Sequence, residues 1–167
     1  MGVIGIDPGT AITGYGIVEE AQDGSLTALA YGVIETPSGI EMPARLLILY
    51  QELTEILLLH RPQSGAVEKL FFQRNVRTAL SVGQARGVAL LALEANGIPS
   101  GEYSPTEVKQ AVAGYGGADK RQVQVMVQTL LGLPEIPRPD DAADALAVAI
   151  CHLFNAKFQQ VLKAGNN

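Results

Sequence analysis

The sequence has one cysteine and no long apolar run, and both shortages narrow the kinds of protein it can be. Cys151 has no partner within the chain, which excludes an intrachain disulfide and indicates a reducing compartment. No run reaches the roughly 18 apolar residues of a membrane-spanning helix, and the apolar stretch at the start is short and has no basic segment before it. These features predict an unexported cytoplasmic protein with no membrane partner.

Motifs of several common enzyme classes are also missing. The sequence contains no GxxxxGK[ST] phosphate loop, no G-x-S-x-G nucleophile elbow and no GxGxxG dinucleotide motif. His60 and His152 do not have the spacing of zinc ligands, and we interpret both as structural. The chemistry of the protein must therefore be sought among its carboxylates.

The charge of the chain is unevenly distributed along its length. The 167 residues are 47% apolar and 17% charged, which predicts one compact domain with a single core. The net charge is −5, yet residues 69–121 carry seven bases against four acids, and residues 69–86 carry four bases and no acid. A local basic face can bind phosphate on an acidic protein, although a solvated helix surface is the alternative.

The order of the predicted elements indicates an α/β domain with a mixed five-stranded sheet flanked by helices. The first three strands should form an antiparallel meander, because turn residues separate them. We place the domain at residues 1–156 and predict a weakly structured tail over 157–167. Strands are predicted at 2–6, 13–20, 26–36, 64–72 and 98–103, and helices at 44–60, 75–96, 104–113, 119–132 and 140–154.

Four carboxylates lie either at the end of an apolar strand or within an apolar helix. Asp7 and Glu68 each follow an apolar strand, and adjacent strands bring their ends to one edge of a sheet. Asp141 and Asp144 are three residues apart on one face of the last helix, among alanines. Grouped carboxylates in apolar surroundings need a cation, and oxygen ligands suit Mg²⁺ or Mn²⁺. Singly, each acid has the alternative of a turn residue or ion-pair partner, and Asp140 is explained more simply as an N-cap.

Aromatic and basic residues lie together in the stretch "KLFFQRNVRTALSVGQARG". Phe71 and Phe72 stand beside Arg74 and Arg77, an arrangement in which rings stack on nucleobases while bases hold phosphates. The alternative is that both phenylalanines belong to the core. Consecutive strand residues face opposite sides, which favours one of the two rings outside the core.

Four segments of the sequence together resemble the bacterial RuvC Holliday junction resolvases, which have a ribonuclease H-like fold. The segments cover most of the chain in the family's order: "IDPGT…TGYGIVE", "AVEKLFFQRNVRTALSVGQARG", "VKQAVAGYGGADKRQVQVMV" and "DDAADALAVAICH". The resemblance implies a junction-specific endonuclease of recombination and repair. It would make paired symmetric cuts that leave 5′-phosphate and 3′-hydroxyl ends.

The resemblance also assigns roles to particular residues. It gives Asp7, Glu68, Asp141 and Asp144 as catalytic ligands of two Mg²⁺ ions about 4 Å apart, with Mn²⁺ as a possible substitute. It places the ring of Phe71 at the junction centre and Lys109 and Lys120 on the DNA backbone. We add Arg121, the neighbour of Lys120, as a further candidate for DNA binding. Asp140 departs from the small or neutral residue that is commoner there.

The implied assembly is a homodimer that works with the branch-migration proteins RuvA and RuvB. Gly83 and Gly87 lie one turn apart in the predicted helix 75–96 and allow close helix packing, either inside the fold or across a dimer. Two other functions stay open. One is a kinase-like nucleotide-binding domain that uses the DPGT loop, although it normally needs two such domains. The other is a non-catalytic junction-binding scaffold, which would leave the four acids without a purpose.

Overall fold

The computed structural model describes the backbone of residues 1–69 and 75–165, with side chains described as far as residue 157. Within those ranges the chain forms five strands and five helices. The strands are β1 (Gly2–Asp7), β2 (Ile12–Glu20), β3 (Leu26–Glu35), β4 (Ser64–Glu68) and β5 (Ser100–Tyr103). The helices are α1 (Met42–His60), α2 (Val76–Ala95), α3 (Pro105–Ala113), α4 (Lys120–Leu130) and α5 (Asp140–Gly165).

The strands form one mixed sheet in the order β3-β2-β1-β4-β5. Strands β1, β2 and β3 are antiparallel neighbours, which confirms the predicted meander. Strand β4 runs parallel to β1, and β5 runs parallel to β4. The predicted α/β fold with a mixed five-stranded sheet is thus confirmed, and β1 lies at its centre.

Side chains alternate between the two faces of the sheet and define two cores. On one face, Val3, Val18 and Ala66 pack with α3, α4 and α5. On the other face, Ile4 and Ile17 pack with α1 and α2. Asp7 is four residues after Val3 in β1, and Glu68 is two residues after Ala66 in β4, so each faces the same side of the sheet as that residue. Both carboxylates therefore lie on the face covered by α5.

Most element boundaries agree with the sequence predictions to within two residues, and two differ by more. Strand β4 ends at Glu68 rather than at residue 72: Lys69 is no longer part of it, and residues 70–72 lie outside the described residues. Helix α5 continues to Gly165, whereas we predicted a weakly structured tail from residue 157. The segment 155–164 contains neither glycine nor proline, so nothing in it ends a helix.

Glycines allow α5 to lie directly on the centre of the sheet. A Cβ atom at Gly5 would overlap the backbone of Ala145, and one at Gly14 would overlap the carbonyl oxygen of Asp141. At Gly16 a Cβ would stand 2.7 Å from Leu146 Cδ2. Glycine inside a strand often marks such a close approach. The first turn of α5 therefore sits over the ends of β1 and β2, beside Asp7.

Within the described part of the chain, no helix is long and apolar enough to cross a membrane. His152 is half-buried and bridges β5 and β4, with Nδ1 2.9 Å from Tyr103 Oη and Nε2 3.1 Å from Ser64 Oγ. This arrangement fits the structural role that we assigned to His152.

Candidate active site

Asp7 and Glu68 lie side by side at one end of two parallel strands. The last register pair of β1 and β4 is Ile6 with Val67, and the two acids follow it on the same face. The two carboxyl groups are close enough for protonated Asp7 to hydrogen-bond to Glu68, which contributes to the pKa of each. Burial, followed by the charges of Glu68 and Asp144, raises the pKa of Asp7 to about 9. Burial also raises the pKa of Glu68. A proton therefore holds this pair together while no cation is bound.

The first turns of α5 bring the other two acids to the same place. The backbone of Asp141 rests on Gly14, the β2 residue that pairs with Asp7. Burial raises the pKa of Asp144, and the ammonium group of Lys120 acts against that rise. The charges of Asp144 and Asp141 both contribute to the raised pKa of Asp7. The structure thus brings together all four carboxylates that the sequence predicted.

Two of the predicted basic residues line a pocket of about 240 Å³ together with Glu68 and Asp144. Lys109 comes from α3 and Lys120 from α4, and the charge of each lowers the pKa of Glu68. Lys120 Nζ lies 3.4 Å from Asp144 Oδ2. The pocket is lined by both apolar and charged residues, which are Glu68, Pro105, Val108, Lys109, Lys120, Val123, Asp144 and Ala147.

Two of the remaining predicted DNA contacts, Arg77 and Arg121, do not line this pocket. Arg121 is exposed and lines a separate depression together with Tyr115 and Met126. Arg77 is exposed in the first turn of α2. The other three contacts that we predicted, Phe71, Phe72 and Arg74, lie outside the described residues.

The loop that follows Asp7 is held by side chains from β2, from α2 and from the residue that follows β3. The hydroxyl of buried Thr13 donates to the carbonyl of Gly9 at 2.6 Å and accepts from the amide of Gly9 at 3.2 Å. The hydroxyl of Thr36 donates to the carbonyl of Thr10, and Arg45 Nε donates to Thr36 Oγ1 at 2.9 Å. The Thr10 hydroxyl also hydrogen-bonds Ser81 of α2. These bonds fix the backbone that carries Asp7.

Sequence reasoning missed two features of the site. The first is the close approach of α5 at Gly14, for which the alternating glycines of "TGYG" were an available signal. The second is Asp140, which we interpreted as an N-cap. Helix α5 begins at Asp140 itself, and the carboxylate turns to α4, where it meets Lys120 and Gln124. No local pattern signals a contact between residues 20 positions apart.

The donor set fits a hard divalent cation. All four candidate ligands are carboxylates, which Mg²⁺ and Mn²⁺ prefer, and the raised pKa of Asp7 shows that its negative charge lacks compensation. Among the described residues, no three acidic, histidine or cysteine side chains already form a ligand cage. The site is therefore a set of neighbouring carboxylates at one end of the sheet.

This sheet order, with helices on both faces, is that of a ribonuclease H-like fold, and the grouped acids over its central strands are typical of the nucleases with this fold. The family described as "Crossover junction endodeoxyribonuclease RuvC" matches residues 3–152. A relative with the same description from Chloroflexus aurantiacus is 62% identical over 156 residues, which are 93% of this chain and 94% of the relative.

Solved structures agree with this assignment. The Thermus thermophilus RuvC structure has a TM-score of 0.89 and 40% identity, and the match covers 95% of this chain and 97% of that one. T. thermophilus RuvC in complex with a Holliday junction substrate also has a TM-score of 0.89, at 39% identity, with coverages of 95% and 96%. The chain belongs to the RuvC family of Holliday junction resolvases, which are endonucleases. Neither the kinase-like nor the scaffold alternative is favoured, and metal dependence is typical of the family.

Proposed function

We propose that this chain resolves four-way DNA junctions by paired, symmetric hydrolysis of phosphodiester bonds, leaving 5′-phosphate and 3′-hydroxyl ends. The observation that carries the proposal is the pocket in which Glu68 and Asp144 face Lys109 and Lys120. Carboxylates on one side suit a cation, and ammonium groups on the other suit the phosphate to be cut. Such a pocket can hold a metal ion and a DNA strand together.

Asp7, Glu68, Asp141 and Asp144 would hold the metal, which we propose to be Mg²⁺, with two ions per site and Mn²⁺ as a substitute. When bound, the ions would supply an acidified water as nucleophile and stabilise the leaving 3′-oxygen. Asp7 would have to release its proton to act as a ligand, because a carboxylate binds a metal ion in its deprotonated form.

Lys109 and Lys120 would hold the DNA backbone over the carboxylates. Lys109 is half-buried and Lys120 is exposed at the rim, so the two differ in their freedom to follow a strand. A lysine acts on phosphate as a mobile point charge, which suits a substrate that must slide until the scissile phosphate is in place. The glycines of "GYGG" between α3 and α4 would let the protein backbone approach the DNA.

We keep the other predicted DNA contacts as part of the proposal. Phe71 or Phe72 would open the stacking at the junction centre, while Arg74 and Arg77 would hold the phosphates nearby. Arg121 would contact a strand outside the pocket, because it lines a different depression. These contacts would place the junction centre along the end of the sheet that carries the acids.

A homodimer would present two such sites to one junction. The outward face of α2 carries exposed Val76, Leu80 and Leu91, and a Cβ at Gly87 on that face would meet no atom within 4 Å. An apolar face with a gap between its side chains is suited to close packing against a second copy. RuvA and RuvB are the proposed partners of this dimer, and the bacterial cytoplasm is its proposed location.

Incubation of the protein with a synthetic four-way junction and with a linear duplex, each with and without Mg²⁺, tests the proposed function. We expect two symmetric cuts in the junction with Mg²⁺, no cuts without it, and little cutting of the duplex. Religation of the products by DNA ligase without further treatment would confirm the 5′-phosphate and 3′-hydroxyl ends. Equal cutting of duplex and junction would contradict junction specificity.

A further inference from the structure

Asp140 is the first residue of α5, but its side chain contacts residues of α4 instead of capping its own helix. Its Oδ1 accepts a hydrogen bond from Gln124 Nε2 at 3.2 Å, and its Oδ2 lies 3.3 Å from Lys120 Nζ. Lys120 and Gln124 are one turn apart on α4. Both oxygens of Asp140 are therefore directed at one face of α4 rather than at the amides of its own helix.

The ammonium group of Lys120 is shared between two carboxylates. Asp140 and Asp144 are one turn apart on α5, and Lys120 Nζ lies 3.3 Å from the first and 3.4 Å from the second. The side chains of Lys120 and Asp140 are each about half exposed, at 54% and 55%. Water and salt therefore weaken the pair, and an incoming phosphate can compete for the lysine.

We propose that Asp140 is a positioning residue that holds Lys120 over the carboxylates in the free protein, so that a DNA phosphate must displace Asp140 to engage Lys120. This inference rests on the proposed role of Lys120 as a phosphate contact. Asp140 consequently lowers the affinity for DNA by an amount that depends on Lys120. It also keeps the lysine at the pocket, ready for transfer to the phosphate.

Gln124 gives the contact its direction. It anchors Oδ1 of Asp140, which leaves Oδ2 directed at Lys120. An asparagine at position 140 would still accept the hydrogen bond from Gln124 while losing the charge that attracts the lysine. Asp140→Asn therefore separates the charge of Asp140 from its packing, and Asp140→Glu keeps the charge.

The experiment measures binding of a fluorescent junction and of a linear duplex by anisotropy in EDTA, where no cutting occurs. The variants are Asp140→Asn, Asp140→Glu, Lys120→Ala and the double variant Asp140→Asn/Lys120→Ala. Glu135→Gln is the matched control, because it removes one exposed acid from the segment before α5. Circular dichroism checks that each variant is folded.

We expect Asp140→Asn to bind both DNAs about three- to tenfold more tightly, with a plot of log K against log salt that steepens by up to about 0.9. Asp140→Glu and Glu135→Gln should stay near the unmodified protein. In the Lys120→Ala background the added Asp140→Asn change should lose most of its effect.

Three results would overturn the inference. The first is an unchanged affinity for DNA in Asp140→Asn. The second is an equal gain in affinity in Glu135→Gln, which would show that only the net charge matters. The third is a full gain in affinity when Asp140→Asn is added to Lys120→Ala, which would show that Asp140 repels DNA directly. Each of them leaves the proposed function intact. A missing preference for the junction over the duplex would instead contradict the proposed function, and the duplex measurements would still decide the role of Asp140.

Discussion

At the scale of single residues, Asp7 is the group in which burial and charge oppose each other most directly. Its pKa is raised to about 9 by burial and by the neighbouring carboxylates, against 3.8 for an ordinary aspartate. Between these two pH values the folded protein keeps a proton that the unfolded chain releases. The free energy of unfolding of the metal-free protein must therefore fall as the pH rises through this window.

Replacement of Asp7 by asparagine should remove this loss of stability. In EDTA, the free energy of unfolding of the unmodified protein should fall between pH 5 and pH 8. We expect the fall to be smaller in Asp7→Asn, by about 1–3 kcal/mol. Urea unfolding at both pH values measures the difference. Asp23→Asn is the control, because hydrogen bonds from Ser25 lower the pKa of this exposed acid and its titration lies below the window. Parallel pH dependence in Asp7→Asn and the unmodified protein would show that Asp7 is not the group that titrates.

Single residues of the site differ in how far the sequence predicts them. Asp7 and Glu68 were predictable because a carboxylate after an apolar strand is conspicuous, and strand ends meet at one edge. Asp141 and Asp144 were predictable because helical spacing puts them on one buried face. Asp140 was not, since its partner Lys120 comes from another helix, and only the packing of α4 on α5 brings the two together.

At the scale of elements, the position of α5 on the sheet decides the geometry of the site. Gly5, Gly14 and Gly16 let the helix lie against the strands, which brings Asp141 and Asp144 to the level of Asp7. The sequence predicted this helix and its buried alanines but not its depth. How closely α5 approaches the sheet depends on which strand residues face the helix. That in turn depends on the register of the strands and on the packing of α5 in three dimensions.

A methyl group at Gly14 should lift the first turn of α5. It would overlap the carbonyl oxygen of Asp141, so we expect Gly14→Ala to lose roughly 1–3 kcal/mol of stability while its cleavage rate falls at least about 100-fold. Gly2→Ala is the control, because no atom lies within 4 Å of its added Cβ. Thermal unfolding and single-turnover cleavage measure the two effects. A folded Gly14→Ala protein that cuts at the normal rate would contradict the close fit.

Helices α3 and α4 each supply one base to the pocket. We expect Lys109→Ala and Lys120→Ala to weaken junction binding, and each to lower the slope of log K against log salt by about 0.9, because each removes one phosphate contact. Lys157→Ala is the matched control, since Lys157 pairs with Glu20 and does not line the pocket. An unchanged slope in both pocket variants would identify these lysines as ordinary surface charges.

At the scale of the whole molecule, an acidic protein must bind a polyanion. The net charge of −5 is compatible with this because bases are concentrated in residues 69–121, and the four site acids would be neutralised by metal ions. The whole fold was predictable from the order of strands and helices. Which apolar residues of α2 are exposed was harder to predict, because the sequence does not distinguish a buried apolar residue from an exposed one.

Disruption of the exposed α2 face should separate the two proposed sites. We expect the unmodified protein to have the mass of a dimer by light scattering and Leu80→Glu to have that of a monomer, because a buried charge opposes an apolar interface. The monomer should nick junctions without making paired cuts. Leu29→Glu on strand β3 is the control for an exposed leucine on another element. A monomeric unmodified protein that still makes paired cuts would contradict the symmetric arrangement.

The most direct test of the central claim is a comparison of cutting and binding in Asp7→Asn. The account predicts that this variant binds the four-way junction about as tightly as the unmodified protein, because Lys109 and Lys120 hold the phosphates. It also predicts that cleavage in Mg²⁺ falls by at least about 1,000-fold, because the cation loses the ligand at the centre of the site. Normal cleavage by Asp7→Asn would contradict the claim that the carboxylates of β1, β4 and α5 form the catalytic centre.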